Sequence, residues 1–246
     1  MAMAWLTVLG IPAAVYVVGI TALVFNASEK PQQPLLLIGA GLLSLGIYMF
    51  HRSNAAPSSQ MQERHRLALK HQKVLFRFSA FCIFLSICLF AIYAPILIFL
   101  SVASMVGVIM YGRKCILQPV RNYLYVKPFA VGVSIALFAW TLSGFSNSIL
   151  VVLGFMLLCS SDALLCDLSD RDYDEATGCT TLAKNMGSWT TWLAALVLYI
   201  CSGVLIPNPF GLIFLVLFFV PLLFQNSQRT AIDLRPMLVL LIAWSL

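Results

Sequence analysis

Three aspartates, Asp167, Asp170 and Asp174, have the residue type and the spacing best suited to chemistry in this sequence. Their intervals of three and four residues place all three carboxylates on one face if the chain is helical there. Like charges on one helical face repel one another, and a divalent cation between them relieves that repulsion. Oxygen ligands favour Mg²⁺, which keeps several waters and shares its coordination with substrate phosphates. The spacing therefore predicts that these three aspartates hold Mg²⁺.

The alternative for this segment is an acidic, solvated loop, and the distribution of acids argues against it. All six aspartates of the chain occur at or after Asp162, and five of them lie within the thirteen residues 162–174. Asp162 also lies inside the apolar segment 149–166 and Asp167 follows directly after it, and ionisable side chains within such segments are costly and usually functional. The cluster is therefore interpreted as a functional site.

The composition of the whole chain is that of a membrane protein. Of its 246 residues, 61% are hydrophobic and 10% are charged, whereas soluble proteins have about 25% charged residues. The mean hydropathy is +0.94. These values exclude a water-soluble globule, a disordered chain and a nucleic-acid binder, despite the net charge of +6. The expected partner of this surface is the lipid bilayer.

The apolar segments predict eight or nine transmembrane helices in a single polytopic domain over residues 1–246. They lie at 4–25, 35–50, 74–92, 94–111, 128–145, 149–166, 189–206 and 209–224, with a shorter one at 237–246. The last segment corresponds to about 15 Å of helix, which is too short to span. It indicates either a half-length helix or a missing C-terminal piece.

The basic residues predict the orientation of these helices. Fourteen of the 15 lysines and arginines fall in the loops after the even-numbered segments, and Lys30 is the exception. Loops rich in Lys and Arg stay in the cytoplasm. The N-terminus and the aspartate-rich segment are therefore predicted to be cytoplasmic.

The segment 167–182 resembles the second aspartate-rich motif of the UbiA superfamily of intramembrane prenyltransferases. That motif reads D-x-x-D-x-x-x-D followed by G-x-x-T-L, and its fixed positions are met here by Asp167, Asp170, Asp174, Gly178, Thr181 and Leu182. The resemblance implies an all-α integral membrane bundle of about nine helices with a central cavity open to the cytoplasmic face. It further implies that the three aspartates are catalytic and bind an isoprenyl diphosphate through Mg²⁺. Gly178 is also a plausible helix stop.

The first aspartate-rich motif of the family is absent from this sequence. It belongs in the loop after the second helix, but no aspartate occurs before residue 162. A divergent branch of the superfamily has a Y-x-x-D-R signature there, and Tyr48-Met-Phe-His51-Arg52 resembles it with histidine in place of aspartate. Part of the charge of a diphosphate must then be neutralised by other groups.

Basic side chains are the candidates for this neutralisation. Arg66, Lys70, Lys73 and Arg77 are spaced to share one face of the helix that enters the third apolar segment. Arginine and lysine both bind phosphate. Positive-inside anchoring with snorkelling side chains is the alternative for this stripe.

Lys127, before Pro128, resembles a basic position near the start of the family's fifth helix. The diphosphate-binding residues are thus predicted to be Arg52, Arg66, Lys70, Lys73 and Lys127. Asp233 and Arg235 are interpreted as an ion pair at the rim or as a terminal cap.

Three functions follow from the resemblance. The first is a Mg²⁺-dependent prenyltransferase that joins an isoprenyl diphosphate to an aromatic or other lipophilic acceptor. The second is a UbiA-type terpene cyclase, in which the isoprenoid cation attacks its own chain. The third is a non-catalytic homologue that binds an isoprenoid. The complete second motif argues against the third function, and the missing first motif argues against a routine quinone-pathway transferase.

Overall fold

The computed structural model is a bundle of α-helices, and it describes residues 2–54, 63–112, 126–176, 180–207, 210–223 and 228–245. The helices in these ranges are α1 Ala2–Val8, α2 Ile11–Ala27, α3 Pro34–Ser53, α4 Glu63–Lys70, α5 Gln72–Tyr93, α6 Ile96–Gly112, α7 Val126–Leu142, α8 Ile149–Ala176, α9 Leu182–Asn185, α10 Gly187–Leu205, α11 Phe210–Leu223 and α12 Gln228–Ser245.

Four of these helices are long and apolar enough to cross a membrane: α3, α5, α10 and the part of α8 from Ile149 to Asp172. Shorter apolar helices accompany them at Ile11–Ala27, Ile96–Gly107, Val126–Leu142 and Leu234–Ser245. The prediction of an all-α integral membrane protein is therefore confirmed. The last helix differs from its prediction, because α12 begins at Gln228 and its 18 residues extend well before the apolar segment 237–246.

Two predicted helices are interrupted by single turns. The first apolar segment is divided between α1 and α2 at Gly10, whose φ of 76° lies in the left-handed region that favours glycine. The basic stripe is likewise divided, because His71 separates α4 from α5. Arg66 and Lys70 therefore lie on one helix, whereas Lys73 lies on the next.

Consecutive long helices pack on one another, and α12 packs back on α2, which closes the bundle. The closest approach that bears on the site is between α7 and α8. A Cβ atom on Gly132 of α7 would lie 2.1 Å from Ser160 Oγ and 2.5 Å from the carbonyl oxygen of Met156. Because only glycine leaves room for this contact, it fixes the distance between the two helices that carry most of the site.

Candidate functional site

The three candidate aspartates lie near the C-terminal end of α8. This 28-residue helix continues through all three, so the predicted sharing of one helical face applies. Asp167 and Asp174 are 4% and 7% exposed, and the Asp170 side chain is 24% exposed. Leu164 and Leu165 on the preceding turn are in the apolar core. Carboxylates this buried require compensating charge or a bound cation.

Lys127 provides that charge from the first turn of α7. Its Nζ lies 2.5 Å from an oxygen of Asp167 and 3.2 Å from an oxygen of Asp174. Pro128 follows it, and proline is tolerated there because the first-turn N–H groups have no intrahelical partner. A cation at a helix N-terminus is unfavourable by itself, so the two carboxylates stabilise its position. The structure thus brings Lys127 to the aspartates.

Arg64 provides a second cation, from α4. Its Nη2 forms an ion pair with Asp170, and the side chain is 6% exposed. Helix α4 packs against α1 and α3, and its Arg64 reaches the end of α8 through this ion pair. Sequence reasoning missed Arg64, because the stripe that begins at Arg66 has the clearer helical spacing. The available signal was the absence of aspartate from this part of the sequence.

Other basic groups surround Arg64. His65 is 1% exposed, and burial lowers its pKa to about 3, with further lowering by Arg52, Arg64 and His51. Arg52 donates from Nη2 to the Tyr48 hydroxyl at 2.7 Å, and it is close enough to interact electrostatically with Asp170. The last turn of α3 and the first turn of α4 therefore present positive charge to the aspartates.

The basic stripe lies elsewhere. Arg66, Lys70 and Lys73 are exposed, and the ion pairs described for the aspartates are made by Arg64 and Lys127. Lys73 lines a shallow groove of about 290 Å³ with Asn54 and other residues. This exposure favours the anchoring alternative for the stripe.

The end of the aspartate motif also has a structural role. The Thr181 side chain accepts a hydrogen bond from the backbone N–H of Lys184 and caps α9. Leu182 is buried in the apolar core. Gly178, expected to end the preceding helix, lies outside the described residues. The threonine and leucine of the motif therefore fix the start of α9.

The donor set is suited to a divalent cation. Two carboxylates, of Asp167 and Asp174, converge on one positive centre, the Nζ of Lys127. Among the described residues, no group of three His, Cys, Asp or Glu side chains is arranged to hold a metal ion. Mg²⁺ requires only one or two carboxylates when phosphate and water complete its coordination. Asp167 and Asp174, with Asp170 beside them, therefore fit Mg²⁺.

A second ionic cluster is buried in the bundle around Asp162, five residues before Asp167. Arg235 of α12 pairs with Asp162 through Nη2 and donates from Nη1 to the Leu217 carbonyl of α11 at 2.8 Å. Tyr16 of α2 donates to the other oxygen of Asp162 at 2.6 Å. Arg235 is 4% exposed, so its interpretation as a rim residue is wrong. The Asp233 side chain lies outside the described residues.

Comparison with known proteins identifies the fold. No family model and no curated protein sequence matches the chain. Among solved structures, it is similar to the apo structure of a UbiA homolog from Aeropyrum pernix K1, with a TM-score of 0.68 and 12% identity over 95% of this chain and 98% of that one. The chain has the UbiA fold.

A digeranylgeranylglyceryl phosphate synthase shares the UbiA fold with this chain. The TM-score is 0.56, with 12% identity over 99% of this chain and 98% of the synthase. The superfamily resemblance carried by the motif at 167–182 is thereby confirmed at the level of the fold. In this UbiA fold, the motif occupies the end of α8, and α4 and α7 bring Arg64 and Lys127 to it.

Proposed function

We propose that the protein is an intramembrane prenyltransferase that uses an isoprenyl diphosphate, Mg²⁺ and a lipophilic acceptor. One observation carries the proposal. Three carboxylates and two cations meet in a mostly buried cluster at one end of an apolar bundle. Buried ionisable groups in a membrane protein mark substrate sites. The UbiA fold supports the same conclusion, because both similar structures are UbiA-superfamily proteins.

The reaction begins with heterolysis of the bond between the allylic carbon and the diphosphate oxygen. The electron pair leaves with the diphosphate, and an allylic cation remains. Lys127 and Arg64 supply positive charge next to the departing group, which is electrostatic stabilisation of the leaving group. Mg²⁺, held by Asp167 and Asp174, would neutralise further negative charge on the diphosphate.

The allylic cation then bonds to a nucleophilic atom of the acceptor, which releases a proton. Water must be excluded until this bond forms, because water would capture the cation. The bundle provides an apolar interior in which the largest buried side chains include Phe90, Phe155 and Phe214. Aromatic faces stabilise cations, and an isoprenoid chain can enter such a bundle from the lipid.

The product profile tests this function. Purified protein is incubated with Mg²⁺ and isoprenyl diphosphates of several chain lengths, with and without aromatic and other lipophilic acceptors. We expect a prenylated product that depends on the acceptor. A cyclic hydrocarbon or alcohol formed without acceptor would instead identify a terpene cyclase. Retention of an isoprenyl diphosphate without any turnover would identify a binding protein.

A further inference from the structure

Arg64 has hydrogen-bonding capacity that its ion pair leaves unused. A guanidinium has five N–H donors, and the ion pair with Asp170 engages Nη2. Nε and Nη1 are buried and have no hydrogen-bond partner among the described residues. A buried, unsatisfied donor costs about 1–3 kcal/mol, and a charged donor costs more. An arrangement this unfavourable is explained when an anion occupies the space beside Arg64.

The surroundings of Arg64 are also positive. The pKa of neighbouring His65 falls to about 3, first because the imidazole is buried and then because of Arg52, Arg64 and His51. Across the site, Asp167 and Asp174 are compensated by Lys127. The acids thus lie on α8, and the unsatisfied positive charge lies on α4. A ligand that fits both sides carries oxyanions toward α4 and a cation toward α8.

We propose that Arg64 binds the phosphate oxygens of the isoprenyl diphosphate directly, on the α4 side of the site, where the sequence has no aspartate. Asp170 positions the guanidinium through Nη2, and the diphosphate accepts hydrogen bonds from the donors that remain. This inference rests on the proposed function. It assigns the neutralisation of the diphosphate charge to Arg64 and not to Arg66, the exposed residue at the start of the basic stripe.

Inorganic pyrophosphate tests the assignment without a prenyl chain, an acceptor or turnover. Its dissociation constant is measured by titration calorimetry on the full chain in detergent, with and without Mg²⁺. We expect Arg64→Gln to weaken binding by roughly 10- to 100-fold in both conditions, the range for a charge-assisted hydrogen bond. Arg64→Lys, which keeps the charge but loses the planar fork, should give a smaller loss of roughly 3- to 10-fold.

Arg171→Gln is the matched control. Arg171 is exposed on α8, close to Asp170 in sequence, and donates to Ser188 at 3.3 Å. Its loss should change the dissociation constant less than twofold. If Arg64→Gln does not fold, Arg64→Lys decides the question. An unchanged affinity for either folded Arg64 variant, an equal loss in Arg171→Gln, or no pyrophosphate binding by the parent protein would overturn the assignment.

The two proposals fail in distinguishable ways. Pyrophosphate binding that depends on Arg64, without any product from isoprenyl diphosphates, would contradict the prenyltransferase function alone. Product formation with pyrophosphate affinity independent of Arg64 would contradict the role of Arg64 alone.

Discussion

Removing Asp162 should destabilise the protein strongly, because it leaves the Arg235 guanidinium buried without a counter-charge. Arg235 would keep its hydrogen bond to the Leu217 carbonyl, but the Asp162 ion pair would be lost. Breaking a buried pair from one side costs about 3–5 kcal/mol. In a chain of this size each kcal/mol lowers the melting temperature by about 2–4 °C. We therefore expect Asp162→Leu to lower it by roughly 6–20 °C.

The double variant Asp162→Leu/Arg235→Met separates the cost of an unpaired buried guanidinium from the cost of losing the packing contacts of Asp162. Both charges are then absent, and apolar replacement of a buried pair is often close to neutral. The Tyr16 hydroxyl still loses its acceptor, at 2.6 Å in the parent, which costs about 1–3 kcal/mol. The double variant should therefore be more stable than Asp162→Leu, with a coupling energy above about 2 kcal/mol.

Thermal unfolding in detergent, followed by the fraction that remains monodisperse on size-exclusion chromatography, measures these differences. Asp172→Leu is the control, because Asp172 is exposed on the same helix, and it should change stability by less than about 0.5 kcal/mol. Equal stability of Asp162→Leu and the parent would refute the reasoning, as would a double variant whose loss equals the sum of the two single losses.

Three further outcomes are expected. Gly132→Ala should lower the free energy of unfolding by about 1–3 kcal/mol, because the added Cβ forces α7 away from α8. Gly107→Ala on α6 is the control and should be neutral or stabilising, since nothing lies within 4 Å of its added Cβ. Thermal unfolding compares the two variants. Lys127→Ala should tighten the binding of Mn²⁺, because the lysine Nζ no longer competes for Asp167 and Asp174. Electron paramagnetic resonance measures the Mn²⁺ affinity. An unchanged affinity would show that these carboxylates do not bind the metal.

The third outcome concerns His65 and pH. The pKa of His65 is about 3 in the folded protein and about 6.5 in the unfolded protein. At a pH between these two pKa values, the unfolded state binds more protons than the folded state. The free energy of unfolding therefore falls as the pH falls. The parent should lose about 2 kcal/mol more than His65→Gln between pH 7 and pH 5; parallel pH profiles of melting temperature for the two proteins would contradict this.

The local parts of the structure were accessible from the sequence, whereas the long-range pairings were not. The spacing of Asp167, Asp170 and Asp174 predicts that they share one face of a helix, and α8 extends through all three. The pair between Arg64 and Asp170 joins residues 106 positions apart, and no local pattern specifies it. Helical periodicity favours Arg66 instead, because it indicates which residues share a face of a helix and not which face is buried.

The same limit explains Arg235. In the sequence it precedes the last apolar segment, which is typical of a membrane rim. Because α12 begins at Gln228 and packs on α2, the guanidinium is carried inside the bundle to Asp162. The division of the first segment at Gly10 was likewise hidden, since glycine is also common within transmembrane helices.

Release of pyrophosphate from an isoprenyl diphosphate in the presence of Mg²⁺ tests the central claim most directly. The parent protein is compared with Asp174→Asn, which removes one of the two carboxylates around Lys127, and with Asp172→Asn, which alters an exposed acid on the same helix. We expect Asp174→Asn to lower the rate at least about 100-fold and Asp172→Asn to leave it within about twofold of the parent. Equal rates for the parent and a folded Asp174→Asn would contradict the account.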